Sequence, residues 1–400
     1  MANSLLTIDM ITRKSLEILE NNLVISRNCN RQYDDSFAVQ GAKIGSTLRI
    51  RLPDRALVTD GAALQVQDDN EQYTTLSVAS QKHIGINFTS AELTMQLDDF
   101  AERVLKPRIS QLASSIDADV ATAYKSIYNS VGTPGTTPAT SLVLLQAQQK
   151  LNEFATPMSP RYATVNPAAN AGLVEGMKGL FNPTDTVSRQ FKNGMMGTGV
   201  LGFDEINMSQ SIGMHTTGAW GTTITSTGTL STQGQATLPI SFTGSSKTWK
   251  QGDVFTIAGV YAVNPQTRQS TGSLQQFVVT ADLTASSTGT LSISPAIYTA
   301  DHALATVDSF PQATAVVTML GSASTQYAQN LSYHKDAITL ATADLLLPQG
   351  VDMASRQTHN GISMRIVRQY DINNDRMPCR VDVLYGYAAI RPSMATRIWG

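Results

Sequence analysis

The residues able to do chemistry in this chain are few and scattered. His83, His215, His302, His334 and His359 stand far apart, and none is four residues from another, so no helix presents a pair of imidazoles to a metal. His334 lies beside Lys335 and Asp336, a grouping that suits acid–base work. A hydrogen-bonded or exposed histidine near a loop is the favoured reading. Cys29 and Cys379 are remote in sequence and form no Cys-x-x-Cys pair or Cys/His cluster, so two free buried thiols are favoured over one disulfide and over zinc. Asp371-Ile372-Asn373-Asn374-Asp375 starts like a calcium loop, and Asp382 falls at the twelfth position. However, Arg376 stands where the loop needs glycine, Cys379 lies among the ligand positions, and the flanks read as strands, so a solvated hairpin turn is favoured. Residues 197–202 fit Gly-x-Gly-x-x-Gly. A dinucleotide site needs a strand before the glycines, a helix after them and an acid about 20 residues on. Here Asn193-Gly194-Met195-Met196 precedes, and Phe203-Asp204-Glu205-Ile206 follows with strand character, which favours a glycine-rich turn. Neither a Gly-x-Ser-x-Gly elbow nor a phosphate-binding P-loop is present. Trp220, Trp249 and Trp399 are dispersed, as packing residues are, and form no stacking platform. The sequence therefore assigns no catalytic, cofactor-binding or metal residue, implies no cofactor, and points away from an enzyme.

The elements that position these residues belong to a chain of 400 residues, long enough for two or three domains, with a globular apolar content of 42%. Charged residues make up only 15%, against roughly 25% in a typical soluble domain. Ser, Thr, Asn and Gln carry part of the solubility; coverage of the surface by partner subunits is the other reading, and composition leaves it open. A formal net charge of −2 argues against affinity built on neutralising many phosphates, though not against enclosing nucleic acid. Residues 1–22 lack the basic-then-apolar layout of a signal peptide, and no run of about 18 apolar residues marks a membrane span. Synthesis in a cytoplasm is expected.

Along the chain, Leu5, Ile8, Ile11, Leu16, Leu19 and Leu23 recur at helical spacing, so the first segment must pack on its own core or on a neighbour. Residues 47–53 alternate with period two and predict a strand ending at Pro53. Residues 54–72 are polar with few apolar anchors. Such an arm makes sense lying across another subunit or as a surface hairpin. Thr89 and Glu92 have capping-box spacing, followed by Leu93, Leu97, Phe100 and Val104 on one face. Pro107 opens a helix whose stripe runs Ile109, Leu112, Ile116, Val120, Ala123 and Ile127. After a Gly/Pro break at 132–138, a second helix is predicted with Leu142, Leu145, Leu151 and Phe154 as its apolar positions. Then come a short strand over 161–165 and a helix over 169–180. From about Ile212 to Gly321 the composition turns to Thr, Ser and Gly. Beyond His215 the only charges in that stretch are Lys247, Lys250, Asp253, Arg268, Asp282, Asp301 and Asp308. Strand-like runs at 236–242, 254–261, 276–280, 290–293 and 313–319 predict a small antiparallel barrel or sandwich inserted between two mixed segments. Two closing strands, 362–366 and 380–385, are joined by a polar turn near Asn373.

In this order the residues carry a resemblance over nearly the whole chain: DDFAERVLKPRISQLASSIDAD, RYATVNP, GFDEIN, the β insertion, HKDAITLA, and the ending YGYAAIRP. The chain resembles the major capsid (coat) proteins of tailed double-stranded-DNA bacteriophages with the Hong Kong 97-type capsid fold. It is most similar to the short-tailed Salmonella phage coat group, whose insertion domain the run from Gly252 to Ile297 resembles. The implied fold class is α+β with an inserted all-β barrel domain. The implied layout is an N-terminal arm at 1–36, an extended loop at 37–80, a peripheral domain with the spine helix at 81–139 and an axial domain at 140–211. The insertion follows at 212–330, the axial domain resumes at 331–361, and peripheral strands close the chain at 362–400. The resemblance further implies hexamers and pentamers of the chain itself, a scaffolding protein, a portal at one vertex, enclosed dsDNA without sequence-specific binding, no membrane, and a place in the virion after assembly in the bacterial cytoplasm. It singles out no lysine, Lys43 included, for a crosslink. The competing reading is an accessory virion protein, of tail or decoration, that binds through the β insertion.

Overall fold

The computed structural model describes residues 8–32, 46–58, 61, 62, 66, 71–88, 104–176, 197–228, 230–373 and 376–400. The capping box at Thr89 and Glu92, its stripe from Leu93 to Phe100, Lys43, and Asn193 to Met196 lie outside the described residues. The chain divides into two units: residues 1–50, 73–120 and 339–388, and residues 51–72, 121–338 and 389–400.

The first unit is a helix-covered sheet. Helix α1 (Ile8–Asn22) buries Ile11, Leu16 and Leu19 at helical spacing and packs on the strands Met353–His359 and Ile362–Arg368. The expected N-terminal helix therefore finds its cover in its own unit. The two closing strands pair antiparallel, Arg365–Arg368 against Cys379–Asp382, within a strand that runs Met377–Ala389. That long strand also pairs with Ser80–Phe88 and neighbours Ile338–Ala343. Helix α2 (Lys106–Ala121) buries Ile109, Leu112, Ile116 and Val120 and continues as a 3-10 turn, Thr122–Ser126. It is held to the sheet by Lys82 Nζ on the Ser115 hydroxyl at 2.6 Å and by Tyr385 OH on Asp119 at 2.5 Å. A separate two-stranded ribbon pairs Ser46–Arg51 with Tyr73–Val78.

The second unit holds a mixed sheet and a barrel. The sheet order is Ser130–Val131, Ala395–Trp399, Gln326–His334, Arg161–Val165, Phe203–Met208 and Gly197–Val200, with Met214–Thr216 also on Gln326–His334. Helix α3 (Ser141–Glu153) and helix α4 (Pro167–Gly176) accompany it. α4 starts as its sequence dictates, with Asn166 Oδ1 accepting from the Ala169 N–H at 2.8 Å and Pro167 in the first turn. Residues 177–180 of the expected helix lie outside the described residues. α3 corrects one expectation: its buried face is Leu144, Ala147 and Leu151, while Leu142 and Leu145 stand 59% and 41% exposed. A leucine count cannot tell which of two overlapping stripes faces the core.

The inserted stretch forms a six-stranded antiparallel sheet: Val317–Met319, Val254–Val263, Ser270–Val279, Thr288–Ile297, Gln235–Thr243 and Thr222–Ser226. It closes on itself, because Thr225 bridges Val316 and the Ser226 N–H donates to Ala315 O at 2.9 Å. Period-two alternation fills the inside with Leu238, Ile240, Phe255, Ile257, Phe277, Val279, Leu291 and Ile293. Trp249 plugs it, edge-on to Phe242 at 4.7 Å.

The strands divide differently from the expected layout. Gln326–His334 joins the mixed sheet, whereas Ile338–Ala343 and Met353–His359 join the sheet of the first unit, so the stretch 331–361 does not stay in one body. Likewise Ala395–Trp399 pairs with Gln326–His334 in the second unit and not with the other closing strands. Gln326–His334 and Ala395–Trp399 are buried almost throughout although both carry polar residues, and nothing in a one-strand pattern states which sheet receives it.

Candidate functional site

The motifs weighed for chemistry lie in structural roles. Residues 197–202 form the end of a hairpin, with Leu201 and Gly202 at positive φ between Gly197–Val200 and Phe203–Met208. No helix follows, so the dinucleotide geometry is missing. The calcium-like loop is closed by arginines: Arg376 Nε sits 3.0 Å from Asp371, and Asp382 is buried between Arg365 at 2.7 Å and Arg380 at 2.9 Å. Asp375 lies outside the described residues. His334 is buried and caps the 3-10 turn Lys335–Ala337 by accepting from the Asp336 N–H at 3.2 Å. His302 does the same for the Leu304 N–H at 3.1 Å. Trp249 and Trp399 are buried, as packing residues should be. Among the described residues, no three His, Cys, Asp or Glu gather around a point that could hold a metal.

Two buried polar clusters went unforeseen. In the second unit, Asp253 stands at the entry to barrel strand Val254–Val263. It accepts from His215 Nε2 at 2.9 Å, from the Lys250 N–H at 2.8 Å and from the Gly218 N–H at 3.1 Å. The other ring nitrogen of His215 faces Tyr124 OH at 3.3 Å. Arg397 lies with its guanidinium carbon 5.3 Å from the centre of the Tyr124 ring, and it donates to Ile127 O at 2.7 Å and Gly252 O at 2.8 Å. Burial pulls the Arg397 guanidinium down to about 9, opposed by Tyr124 and Asp253. The Asp–His–Tyr chain has the connectivity of a proton relay. Every member is buried, however, and Gly218 sits so close that an added Cβ would lie 2.3 Å from Thr248 O. Tyr124 is only 3% exposed, so its side chain offers a substrate almost no surface. The cluster works as a clasp that joins the base of the barrel to Tyr124, Ile127 and strand Ala395–Trp399 within this unit.

The first unit carries the matching device. Asp117 of α2 accepts from the Val24 N–H at 2.6 Å and the Ser26 N–H at 2.9 Å, which fastens the turn after α1. Burial pushes its carboxyl up, and the Ser26 hydroxyl and these N–H groups oppose the shift. Cys29 and Cys379 are both free and buried, and burial pushes the Cys379 thiol up to about 12. No member of the clasps stands out in its own segment: Asp253, for one, follows Lys250-Gln251-Gly252 as an ordinary polar turn residue would.

Several apolar side chains stand exposed on the surface. Residues 52–58 carry no regular structure, Val58 is 90% exposed, and Leu142, Leu145 and Met158 add further apolar surface.

Comparison with known proteins supplies the context. A family profile described as "P22 coat protein - gene protein 5" matches residues 1–400. The "Major capsid protein" of Acyrthosiphon pisum secondary endosymbiont phage 1 is 22% identical over 338 residues, covering 79% of this chain and 79% of that protein. Among solved structures, a Mycobacterium phage Che8 chain aligns at 12% identity over 94% of this chain and 90% of its own, with a TM-score of 0.48. The CUS-3 coat protein I-domain is 29% identical and aligns over 25% of this chain and 96% of its own, with a TM-score of 0.20.

Proposed function

This chain belongs to the P22 coat protein family, and from that premise we propose how it works as the major capsid protein of a tailed phage. Copies of the chain form hexamers and pentamers around a scaffolding protein, leave one vertex for the portal, and enclose dsDNA without reading its sequence. Assembly takes place in the bacterial cytoplasm, and the chain catalyses no reaction. The observation that carries this reading is the family match, which spans both units and the segments between them, not the β insertion alone. An accessory protein binding through the barrel would need no such extent.

The division of labour is also a proposal. Residues 37–80 form an extended loop that lies over a neighbour, and residues 107–129 form the spine. The body around 140–211 points to the capsomer centre, in the manner of the Hong Kong 97-type fold. The low charge and the clasps support it. A subunit with net charge −2 has little self-repulsion to overcome, and buried clasps keep each unit rigid while contacts between copies form. Each contact can be weak, because closed symmetry multiplies them.

The test is to express the chain alone and with a scaffolding protein, and to examine both by size exclusion and negative-stain electron microscopy. Closed shells, part-shells or capsomer rings are expected. A strict monomer that scaffold does not rescue would overturn the reading.

A further inference from the structure

In the first unit the strands Met353–His359 and Ile362–Arg368 pair as far as His359 opposite Ile362, so the hairpin turns on Asn360 and Gly361. Both hold positive φ, at 49° and 77°, the left-handed backbone that a two-residue hairpin turn requires and that Asn and Gly accept most readily. The same dipeptide is chemically labile. Glycine has no side chain to shield its backbone nitrogen, and that nitrogen can close a five-membered ring on the amide carbon of an asparagine just before it. Charged groups surround the turn. Asn360 Nδ2 donates to Glu20 Oε1, in the last turn of α1, at 2.6 Å. His359 Nε2 lies 3.4 Å from the other oxygen of that carboxylate. Arg31 Nη1 donates to Asn360 O at 2.7 Å. On the far side of the turn, Gly361 O accepts from the Thr342 hydroxyl at 2.9 Å. Asn360 is exposed, so water reaches it.

Two of these contacts act in opposite directions. The Arg31 cation on Asn360 O favours negative charge on the Asn360–Gly361 peptide, and so the deprotonated Gly361 nitrogen. Glu20 restrains the leaving nitrogen, because the side chain must give up that charge-assisted bond before its carbon can turn to Gly361. We propose that Asn360 is a modification site of the folded chain, where the side-chain amide is lost to water through a cyclic imide at a rate set by Glu20. The Gly361 nitrogen gives its proton to solvent and bonds to Asn360 Cγ. The Cγ–Nδ2 bond breaks, and Nδ2 leaves as ammonia with a proton taken from solvent. Water then opens the imide. Cleavage of the new Cγ–N bond leaves an aspartate, and cleavage of the original peptide C–N bond leaves an isoaspartate, whose main chain runs through the former side chain. Either product sets a carboxylate beside Glu20 in place of a donor, and like charges repel. The isoaspartate also lengthens the turn beyond its two-residue geometry. The last turn of α1 thereby loses its hold on the hairpin. This inference concerns the first unit and does not rest on the coat-protein reading.

The experiment holds the purified full chain in mildly alkaline buffer at physiological temperature and follows it by acid-quenched peptide mapping with mass spectrometry. Asn360 should convert steadily to a mixture of aspartate and isoaspartate, while Asn22, also exposed but followed by Leu23, stays an amide. Glu20→Ala should speed the conversion about tenfold, the change in freed population that one charge-assisted hydrogen bond controls. Glu20→Gln keeps the bulk and an acceptor oxygen without the charge, and should speed it several-fold; this variant decides if Glu20→Ala fails to fold. Converted chains, separated by anion exchange, should exchange the backbone amides of Leu19 to Asn22 faster than unconverted ones. An Asn360 as inert as Asn22, a rate indifferent to both Glu20 variants, or unchanged exchange in α1 overturns the proposal.

Discussion

Replacing Asp253 by alanine should uncouple the barrel from the sheet beneath it. Three donors converge on this carboxylate: His215 Nε2 at 2.9 Å, the Lys250 N–H at 2.8 Å and the Gly218 N–H at 3.1 Å. Alanine leaves all three without an acceptor. A buried donor so abandoned costs about 1–3 kcal/mol. The Lys250 N–H is the least buried of the three, and removing the carboxylate also removes its own desolvation cost. The net loss should be about 3 kcal/mol, a large part of the roughly 5–15 kcal/mol that holds a domain together. Asparagine keeps one acceptor oxygen, and His215 can exchange tautomers to meet the amide, so Asp253→Asn should lose only about 1 kcal/mol. Urea unfolding gives the total. With two units the transition need not be all-or-none, so amide exchange at Gly218 and Lys250 gives the local readout. Those amides should lose protection in Asp253→Ala before the barrel interior does. A loss under about 0.5 kcal/mol, with both amides still protected, would refute the clasp.

Other perturbations follow the same logic in the first unit and the arm. Asp382→Ala strands Arg365 and Arg380 and removes the acceptor of Gln81, so it should destabilise by about 3–5 kcal/mol in denaturant titration; a change within error would show the cluster to be idle. Gly386→Ala would place a Cβ 2.0 Å from Ser77 O, backbone against backbone, and should cost more than the ordinary overpacking penalty of about 1–3 kcal/mol. Soluble yield and melting temperature check it. At pH 8 the Cys379 thiol, pushed up to about 12, exposes thiolate on the order of one part in ten thousand. Ellman's reagent should therefore titrate no thiol in the native chain and both thiols in denaturant; fast native labelling would contradict the burial. Deleting residues 54–72 should leave the melting temperature of a monomer nearly unchanged but abolish uniform shells by electron microscopy, and normal shells would make the arm ornamental.

Much of the architecture was legible because local chemistry and tertiary fate agreed. Asn166-Pro167 announced α4, and the glycines of 197–202 announced a turn, which the chain makes at Leu201-Gly202 after the strand Gly197–Val200. The run 254–261 announced a strand that extends to Val263, and the Thr/Ser/Gly composition announced an all-β stretch, which closes as a barrel within the second unit. Short polar strands were missed, namely Thr222–Ser226, Lys247–Trp249 and Leu283–Ala285. Their strand state comes from neighbours, so their own side chains carry no alternating signal. The partition of 331–361 between two sheets was invisible for a related reason: Ile338–Ala343 is buried along its whole length and reads as any core strand would. The clasps were invisible because their members, Tyr124, His215, Asp253 and Arg397, come from four distant segments. Only the fold brings them together, and each looks ordinary in its own segment.

The location of the charges ties the clasps to assembly. The chain has few charges, yet Asp117, Asp253, Asp382, Arg161 and Arg397 are all buried. Burying ions is a poor way to gain stability, since well-packed apolar residues of the same volume usually do as well. What such groups supply is geometric: each accepts or donates along fixed directions and tolerates one arrangement of the segments it joins. A shell subunit needs that property more than it needs extra stability. Small angular errors between units accumulate around a closed lattice, whereas a few tenths of a kcal/mol per contact are multiplied by the number of contacts. Spending charge inside also leaves an outer surface rich in Ser and Thr with little net repulsion between copies. A weakened clasp should then show first as irregular shells built from folded chains, at a loss of stability too small to prevent folding. Asp253→Asn separates the two effects, because it keeps most of the stability while loosening the direction in which the barrel is held.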